Sequence, residues 1–253
     1  MPSFPSKAML LAAGLGERLR PLTLTTPKPL IPVEDRPLMT YNIALLRKAG
    51  IKELMINLHH LGEQIQSTLG DGKNWGMKFH YSFENEIFGT GGGIKKVESF
   101  FGEDPFIVMN GDILIDVDLQ KVWEAHQKSN SIGTLVLSPA ERKDVKRLVY
   151  LDSQNQILSI SEKAPEKNSK GYVFTGVQIL ESKVLKQLPP HGKSCIVEDA
   201  YVPLLAKGGK LSGFVCENYF RDLGTYERYE EVKKEFSKNW PYTTLSPADF
   251  ASA

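Results

Sequence analysis

The stretch Ala8-Met9-Leu10-Leu11-Ala12-Ala13-Gly14-Leu15-Gly16-Glu17-Arg18-Leu19-Arg20-Pro21-Leu22-Thr23, followed by Pro27-Lys28-Pro29-Leu30 and Pro32, decides the fold. The apolar run Ala8 to Ala13 reads as a buried strand. A Gly-x-Gly loop leaving a strand lets backbone N–H groups approach phosphate oxygens without a Cβ in the way. Arg18, Arg20 and Lys28 add cationic donors close to that backbone. The pattern points to a triphosphate cradle. A dinucleotide fingerprint wants a third glycine three residues after the second, where Leu19 stands. A Walker A loop ends in Gly-Lys-Ser/Thr, and no such tripeptide follows.

The whole chain fits an ordinary enzyme-sized domain. It has 253 residues, 41% hydrophobic and 24% charged, enough for one large domain or two small ones with a full core. A net charge of +1 leaves no broad basic footprint, so a nucleic-acid partner is not expected. Cys195 and Cys216 lie outside any Cys-x-x-Cys spacing, which argues against a disulfide framework or a zinc site and suits a reducing cytoplasm. Met1 to Lys7 lacks an apolar run behind a basic start, and no segment approaches the roughly 18 apolar residues of a membrane span. A cytoplasmic, non-membrane protein is the expectation.

Outward from the first strand, strand-like and helix-like segments alternate. Pro37 to Ala49 reads as a helix with proline at its start and Gly50 at its stop. Strands follow at Glu53–Leu58, Met77–Phe83, Pro105–Asn110 and Gly133–Leu137, with helices at Leu61–Leu69, Gly91–Phe100 and Asp118–Lys128. The rhythm predicts a mostly parallel sheet covered on both faces. The second half is richer in strands. Leu148–Leu151 and Gln156–Ser161 flank a polar turn as a hairpin, and Gly171–Leu180 and Leu211–Val215 add strands. Val197–Ala206 and Thr225–Trp240 read as helices. Pro241 to Ala253 lacks periodicity and reads as a loose tail. There is no hexapeptide array, so a left-handed β-helix domain is not expected in this sequence.

Open parallel sheets bind ligands at the carboxyl ends of their strands, where the Gly14–Arg18 loop, Gly89-Thr90-Gly91-Gly92-Gly93 and Asn110-Gly111-Asp112 fall. A carboxylate just beyond a buried strand and facing a phosphate loop suits Mg²⁺, so Asp112 is a candidate ligand; its plainer role is to cap a turn. Asp222 could complete the metal site, or belong to a helix start capped by Thr225. Lys163 could meet a substrate phosphate and Glu162 sugar hydroxyls, or the two form an exposed ion pair. The Gly89–Gly93 stretch permits close approach to a base or ribose and opens the next helix toward an anion, or is a surface loop. Asn57 and His59 could hydrogen-bond a ligand; His59 and His60, adjacent on a strand, point apart and make a poor metal pair. Cys195 reads as a packed thiol.

In order, the motifs resemble the sugar-nucleotide pyrophosphorylases, which join an NTP to a sugar 1-phosphate. The matching residues are Gly14 to Thr23, Pro27-Lys28-Pro29, Gly89-Thr90-Gly91-Gly92, Asn110-Gly111-Asp112, Glu162-Lys163, Thr175-Gly176 and Asp222-Leu223-Gly224-Thr225, covering about residues 7 to 236. Gly16-Glu17-Arg18, the triple glycine before Ile94, and Asn57 with His59 resemble short bacterial N-acetylmuramate 1-phosphate uridylyltransferases; Gly89 departs from the acidic residue expected there. Short mannose-1-phosphate guanylyltransferases share much of the pattern. The Ala12-Ala13-Gly14 start leans toward a pyrimidine nucleotide.

The resemblance implies a Rossmann-like, mostly parallel sheet sandwiched by helices, of the nucleotide-diphospho-sugar transferase type. It implies a nucleotidyltransferase domain over residues 1–240, with a nucleotide-binding half at 7–130 and a β-rich sugar-phosphate-binding half at 131–240. It also implies roles. Leu11, Ala12, Ala13, Gly14, Gly16 and Gly91 would bind the nucleotide, and Arg18 and Lys28 would be catalytic. Asp112 and Asp222 would hold Mg²⁺; Asn57, Asn110, Glu162, Lys163 and Gly176 would bind the sugar phosphate. The expected partners are an NTP and a sugar 1-phosphate, in a monomer or small homo-oligomer. A cytidylyltransferase acting on a non-sugar phosphate and a non-catalytic nucleotide-sugar sensor are the other readings.

Overall fold

In the computed structural model, which describes residues 3–139, 145–167 and 169–250, the opening apolar run becomes the strand Lys7–Leu11. The strand ends two residues before the hydrophobicity does. Ala12 and Ala13 remain buried, but the Ala12 N–H turns to a side chain instead of a neighbouring strand. The strand pairs in parallel with Glu53–Leu58, from Lys7 opposite Glu53 to Leu11 opposite Asn57. That strand pairs in parallel with Lys78–Phe83, setting Asn57 opposite Ser82. Register therefore brings Leu11, Asn57 and Ser82 level at the carboxyl ends of three parallel strands, where the sequence places the site.

These strands belong to the first of two compact units, formed by the described residues through Ile87, Met109–Leu119, and the residues from Asn218 onward. The helix Leu38–Ala49 fills its core; Gly50 stops it at φ 104°, donating back to the Arg47 and Leu46 carbonyls as a left-handed cap. The short strands Ile113–Ile115 and Phe220–Asp222 pair antiparallel, Asp222 opposite Ile113. The helix Tyr226–Phe236 follows, capped by the Thr225 hydroxyl accepting from Arg228 N–H.

The second unit comprises Phe88–Val108 and Gln120–Glu217. Here Gly171–Leu180 pairs antiparallel with Gly133–Ser138, which pairs in parallel with Ser212–Val215. The hairpin Leu148–Leu151/Ile157–Ser161 forms as expected, its turn held by Asp152 Oδ1 accepting from Gln154 and Gln156 N–H at 2.8 Å each. The units interleave along the chain, so their boundaries differ from a simple division at residue 130.

Three other expectations change. The Gly91–Phe100 helix is Gly89–Lys96, interrupted at Val97 and followed by the separate turn Glu98–Phe101. The Val197–Ala206 helix is a wide π-helical turn, Ile196–Tyr201, leading into Val202–Ala206; Pro203 has no N–H to give a regular helical ladder there. The tail is not loose. Beyond the helix ending at Phe236, Trp240, Tyr242 and Phe250 pack around Tyr41, with Tyr242 stacked on it at 5.8 Å. Thr243 and Thr244 each donate N–H and hydroxyl to the buried Asp116 carboxylate. Residues 251–253 lie outside the described residues.

Candidate active site

The hydrogen bonds from Asn57, Thr23 and Gly111 that shape the Gly14–Gly16 loop and its surroundings join residues of the first unit. Asn57 Oδ1 accepts the Ala12 N–H at 2.9 Å, and its Nδ2 donates to Glu84 Oε1 at 2.8 Å. Leu11 O accepts the Gly111 N–H at 2.9 Å, which ties the loop to the Asn110–Asp112 turn. Gly16 stands at φ 64°, and Thr23 Oγ1 donates to its carbonyl at 2.9 Å. A Cβ on Gly16 would lie 2.7 Å from Thr23 Cγ2, so both conformation and space require glycine there. His60 Nε2–H donates to Thr23 O at 3.1 Å, and His59 Nδ1–H to Glu84 O at 2.8 Å; a carbonyl only accepts, which fixes both protons. Gly14 has open space where its Cβ would be.

Around this loop the structure collects charge. Lys28, on the turn Lys28–Leu30, is 10% exposed and places Nζ 2.5 Å from Asp112 Oδ2. Asp222 Oδ1 accepts from Gly224 N–H at 2.9 Å and Arg228 Nη1 at 2.7 Å. Asp222 Oδ1, Arg228 Nη1 and Arg18 Nη2 all fall within 3.4 Å of one point, the position of a Cβ on Gly224. Leu223 N–H donates to Asp112 O at 3.2 Å, so the segments bearing the two aspartates are bonded directly. Arg18 is exposed, with its head beside Asp222.

The first unit thus brings together Leu11, Ala12, Ala13, Gly14, Gly16, Arg18, Lys28, Asn57, Asn110, Asp112 and Asp222. Gly91, Glu162, Lys163 and Gly176 belong to the second. There Glu162 and Lys163 are exposed after the strand Ile157–Ser161. Gly176 sits in the register shift between Phe174 and Gln178, beside Thr175, whose hydroxyl donates to Val136 O at 2.8 Å.

Two assignments change on geometry. Asn57 is buried and both ends of its amide are taken, by the Ala12 N–H and by Glu84, so it braces the loop that follows the first strand and has no free amide end to offer a sugar phosphate. Gly91 and Gly92 donate their N–H groups to Ser194 O at 2.9 and 3.3 Å. Cβ atoms on Gly89 and Gly92 would strike Ser194 O at 2.5 Å and Gly192 O at 2.4 Å. These glycines receive the protein's own chain, and the N–H groups of Gly91 and Gly92 are taken.

Sequence reasoning missed Asn42, Glu84, Arg228 and Asp116. A signal existed for Asn42: Leu38, Asn42 and Leu46 recur at helical spacing, so one polar residue interrupts an apolar stripe. Nothing local marks Glu84 or Asp116, whose partners Asn57 and Thr243 lie far away in sequence; Arg228 was within reach, since its partner Asp222 stands only six residues earlier.

As a donor set, Asp112 and Asp222 offer hard oxygen ligands, side chains 36% and 26% exposed, each with one oxygen engaged by a cation. Among the described residues no group of three or more His, Cys, Asp or Glu could hold a metal ion unaided. An ion here would draw its remaining ligands from phosphate and water, which is how magnesium is commonly held.

The nucleotidyl transferase family model matches residues 7–239, and the chain belongs to that family. It is 40% identical over 236 residues to the N-acetylmuramate alpha-1-phosphate uridylyltransferase of Neisseria meningitidis serogroup B, covering 90% of this chain and 96% of that protein. It is 36% identical to the UTP–glucose-1-phosphate uridylyltransferase of a Synechocystis strain, covering 88% of this chain. The chain spans only 61% of that relative and 62% of the mannose-1-phosphate guanylyltransferase of Mycobacterium tuberculosis, to which it is 30% identical. Among solved structures, HddC of Yersinia pseudotuberculosis complexed with GMP-PN superposes with a TM-score of 0.73 at 27% identity, covering 91% of this chain and 99% of that one. No helix among the described residues is long and apolar enough to cross a membrane.

Proposed function

We propose that this chain is a Mg²⁺-dependent sugar-1-phosphate nucleotidyltransferase that converts UTP and N-acetylmuramate 1-phosphate to the UDP-sugar and pyrophosphate. The observation that carries the reaction class is the convergence of Arg18, the Lys28–Asp112 pair and Asp222 beside the Gly14–Gly16 loop. The similarity to the Neisseria uridylyltransferase over nearly its whole length supports the substrates.

The acceptor phosphate is already anionic, so its oxygen attacks the α-phosphorus without a general base, and pyrophosphate departs. The obstacle is bringing two polyanions together. Backbone at Ala13 and Gly14 takes the base and ribose. Gly16 and Arg18 hold the β- and γ-phosphates, and Arg18 stabilises the departing charge. Lys28 bridges the α-phosphate and the incoming phosphate. Magnesium, held by Asp112 and Asp222, would supply charge neutralisation on the phosphate oxygens. Glu162, Lys163 and Gly176 position the sugar phosphate.

The test is pyrophosphate release over a grid of four NTPs and N-acetylmuramate, mannose and glucose 1-phosphates, with Asp112→Asn as control. Release with UTP and N-acetylmuramate 1-phosphate, lost in the control, is the expected result. Release confined to another pair would replace the substrates and keep the class. Silence in a protein that still binds an NTP would shift the weight to an acceptor outside the grid or to the non-catalytic sensor.

A further inference from the structure

Asn42 is fully buried in the middle of the helix Leu38–Ala49, between the equally buried Leu38 and Leu46 one turn to either side. Its Nδ2 donates to Asn110 O at 3.2 Å and to Ile113 O at 3.1 Å, the carbonyls that flank Gly111-Asp112. Its Oδ1 is buried with no hydrogen-bond partner among the described residues. A leucine here would continue the apolar stripe and remove the unpartnered Oδ1, but it would take the amide donor away from the Asn110 and Ile113 carbonyls, so what accounts for the amide is the turn it holds.

The same helix also holds the other half of the site. The Leu38 N–H donates to Ile31 O at 3.0 Å, and the Ile31 N–H to Lys28 O at 3.1 Å. One rigid element therefore carries the Lys28 turn at its first residue and the Asp112 turn about one helical turn later. The Lys28–Asp112 distance of 2.5 Å is set across that single element.

We propose that Asn42 is a positioning residue that fixes the Asp112 turn opposite Lys28 and thereby sets the affinity of the site for a divalent cation. It acts through the backbone of the turn. The proposal rests on the nucleotidyltransferase reading above.

The experiment measures Mn²⁺ binding in the presence of UTP by water-proton relaxation, alongside thermal melting and pyrophosphate release. It compares the wild type with Asn42→Leu, Asn42→Ser and Leu46→Ala, the last a core truncation in the same helix. Asn42→Leu should weaken Mn²⁺ by about tenfold or more, as loss of an outer partner of a ligand does, and lower kcat while KM for the nucleotide stays near its wild-type value. Asn42→Ser keeps one donor, should fall between, and decides the matter if the leucine variant does not fold. Leu46→Ala should lower the melting midpoint with Mn²⁺ affinity unchanged. A folded Asn42 variant with wild-type Mn²⁺ affinity would overturn the role of Asn42 alone, as would Leu46→Ala shifting Mn²⁺ equally. A wild type that neither binds Mn²⁺ nor releases pyrophosphate would remove the functional reading first, and this proposal with it.

Discussion

The chain has two glycine-rich stretches that look alike in sequence, Gly14–Gly16 and Gly89–Gly93, and the fold uses them in opposite ways. At Gly14 the space beyond Cα is open, and the loop that it begins leads to Gly16, whose Cβ position lies 3.2 Å from Lys28 Cβ. At Gly89, Gly91 and Gly92 the space is filled by residues 192–196, and two of the N–H groups are spent on one carbonyl. A glycine cluster thus reports that something comes close to the backbone. Whether the visitor is a ligand or the protein depends on which N–H groups remain and which charges stand near.

Substitutions can break or sharpen this contrast. The largest effect should be Arg18→Ala: a folded protein with kcat down about 10²-fold or more, by analogy with losing one transition-state donor. A steady-state assay with near-normal kcat would remove Arg18 from the chemistry. Next, Gly92→Ala should destabilise by about 3 kcal/mol, because its Cβ meets backbone 2.4 Å away that can relax only by moving the 192–196 segment. Thermal melting checks this, and a tolerated alanine would mean the segment is not seated there.

Asp116→Asn comes third, at about 2 kcal/mol, since the Thr243 and Thr244 donors lose a charged acceptor. Burial pushes the Asp116 carboxyl up, but the bonds from Thr243 and Thr244 outweigh it and hold it below the usual carboxylate range. Its folded-state value is therefore depressed. The stabilisation is full above the unfolded value and is lost as pH falls through the folded one. The melting gap between wild type and Asp116→Asn should accordingly hold steady down to about pH 5 and narrow as pH falls below about 4; a gap that stays constant would mean the charge is not the source. Gly14→Ala should be the smallest in stability, within about 0.5 kcal/mol, yet weaken NTP binding measured by calorimetry. Unchanged binding would mean the open space is not the nucleotide's.

Much of the first unit was legible from periodicity. Strands, the Leu38–Ala49 helix and the carboxyl-end placement of the Gly14 loop followed from local pattern, because the interactions that make them are local or repetitive. Lys28 and Asp112 were legible as types; their 2.5 Å pairing was not, since 84 positions separate them. Asn57 was misjudged because a polar residue at a strand end can face a ligand or brace a loop, and only the burial of its amide decides. The tail was misjudged because its aromatics have no period of their own; they fit Tyr41, far away in sequence.

The interleaving of the two units has a consequence for synthesis. Domains fold as units, N-terminal parts first as the chain emerges. Here the Gly14–Gly16 loop emerges early, while Asp222 and Arg228, whose ion pair stands beside the Arg18 head, emerge last. The second unit, whose final described segment ends at Glu217, has all its residues before any of these exist. A nascent chain paused short of Asp222 would hold Arg18 and Lys28 with only part of their counter-charge in place. Nucleotide binding by ribosome-bound chains should therefore switch on late and abruptly.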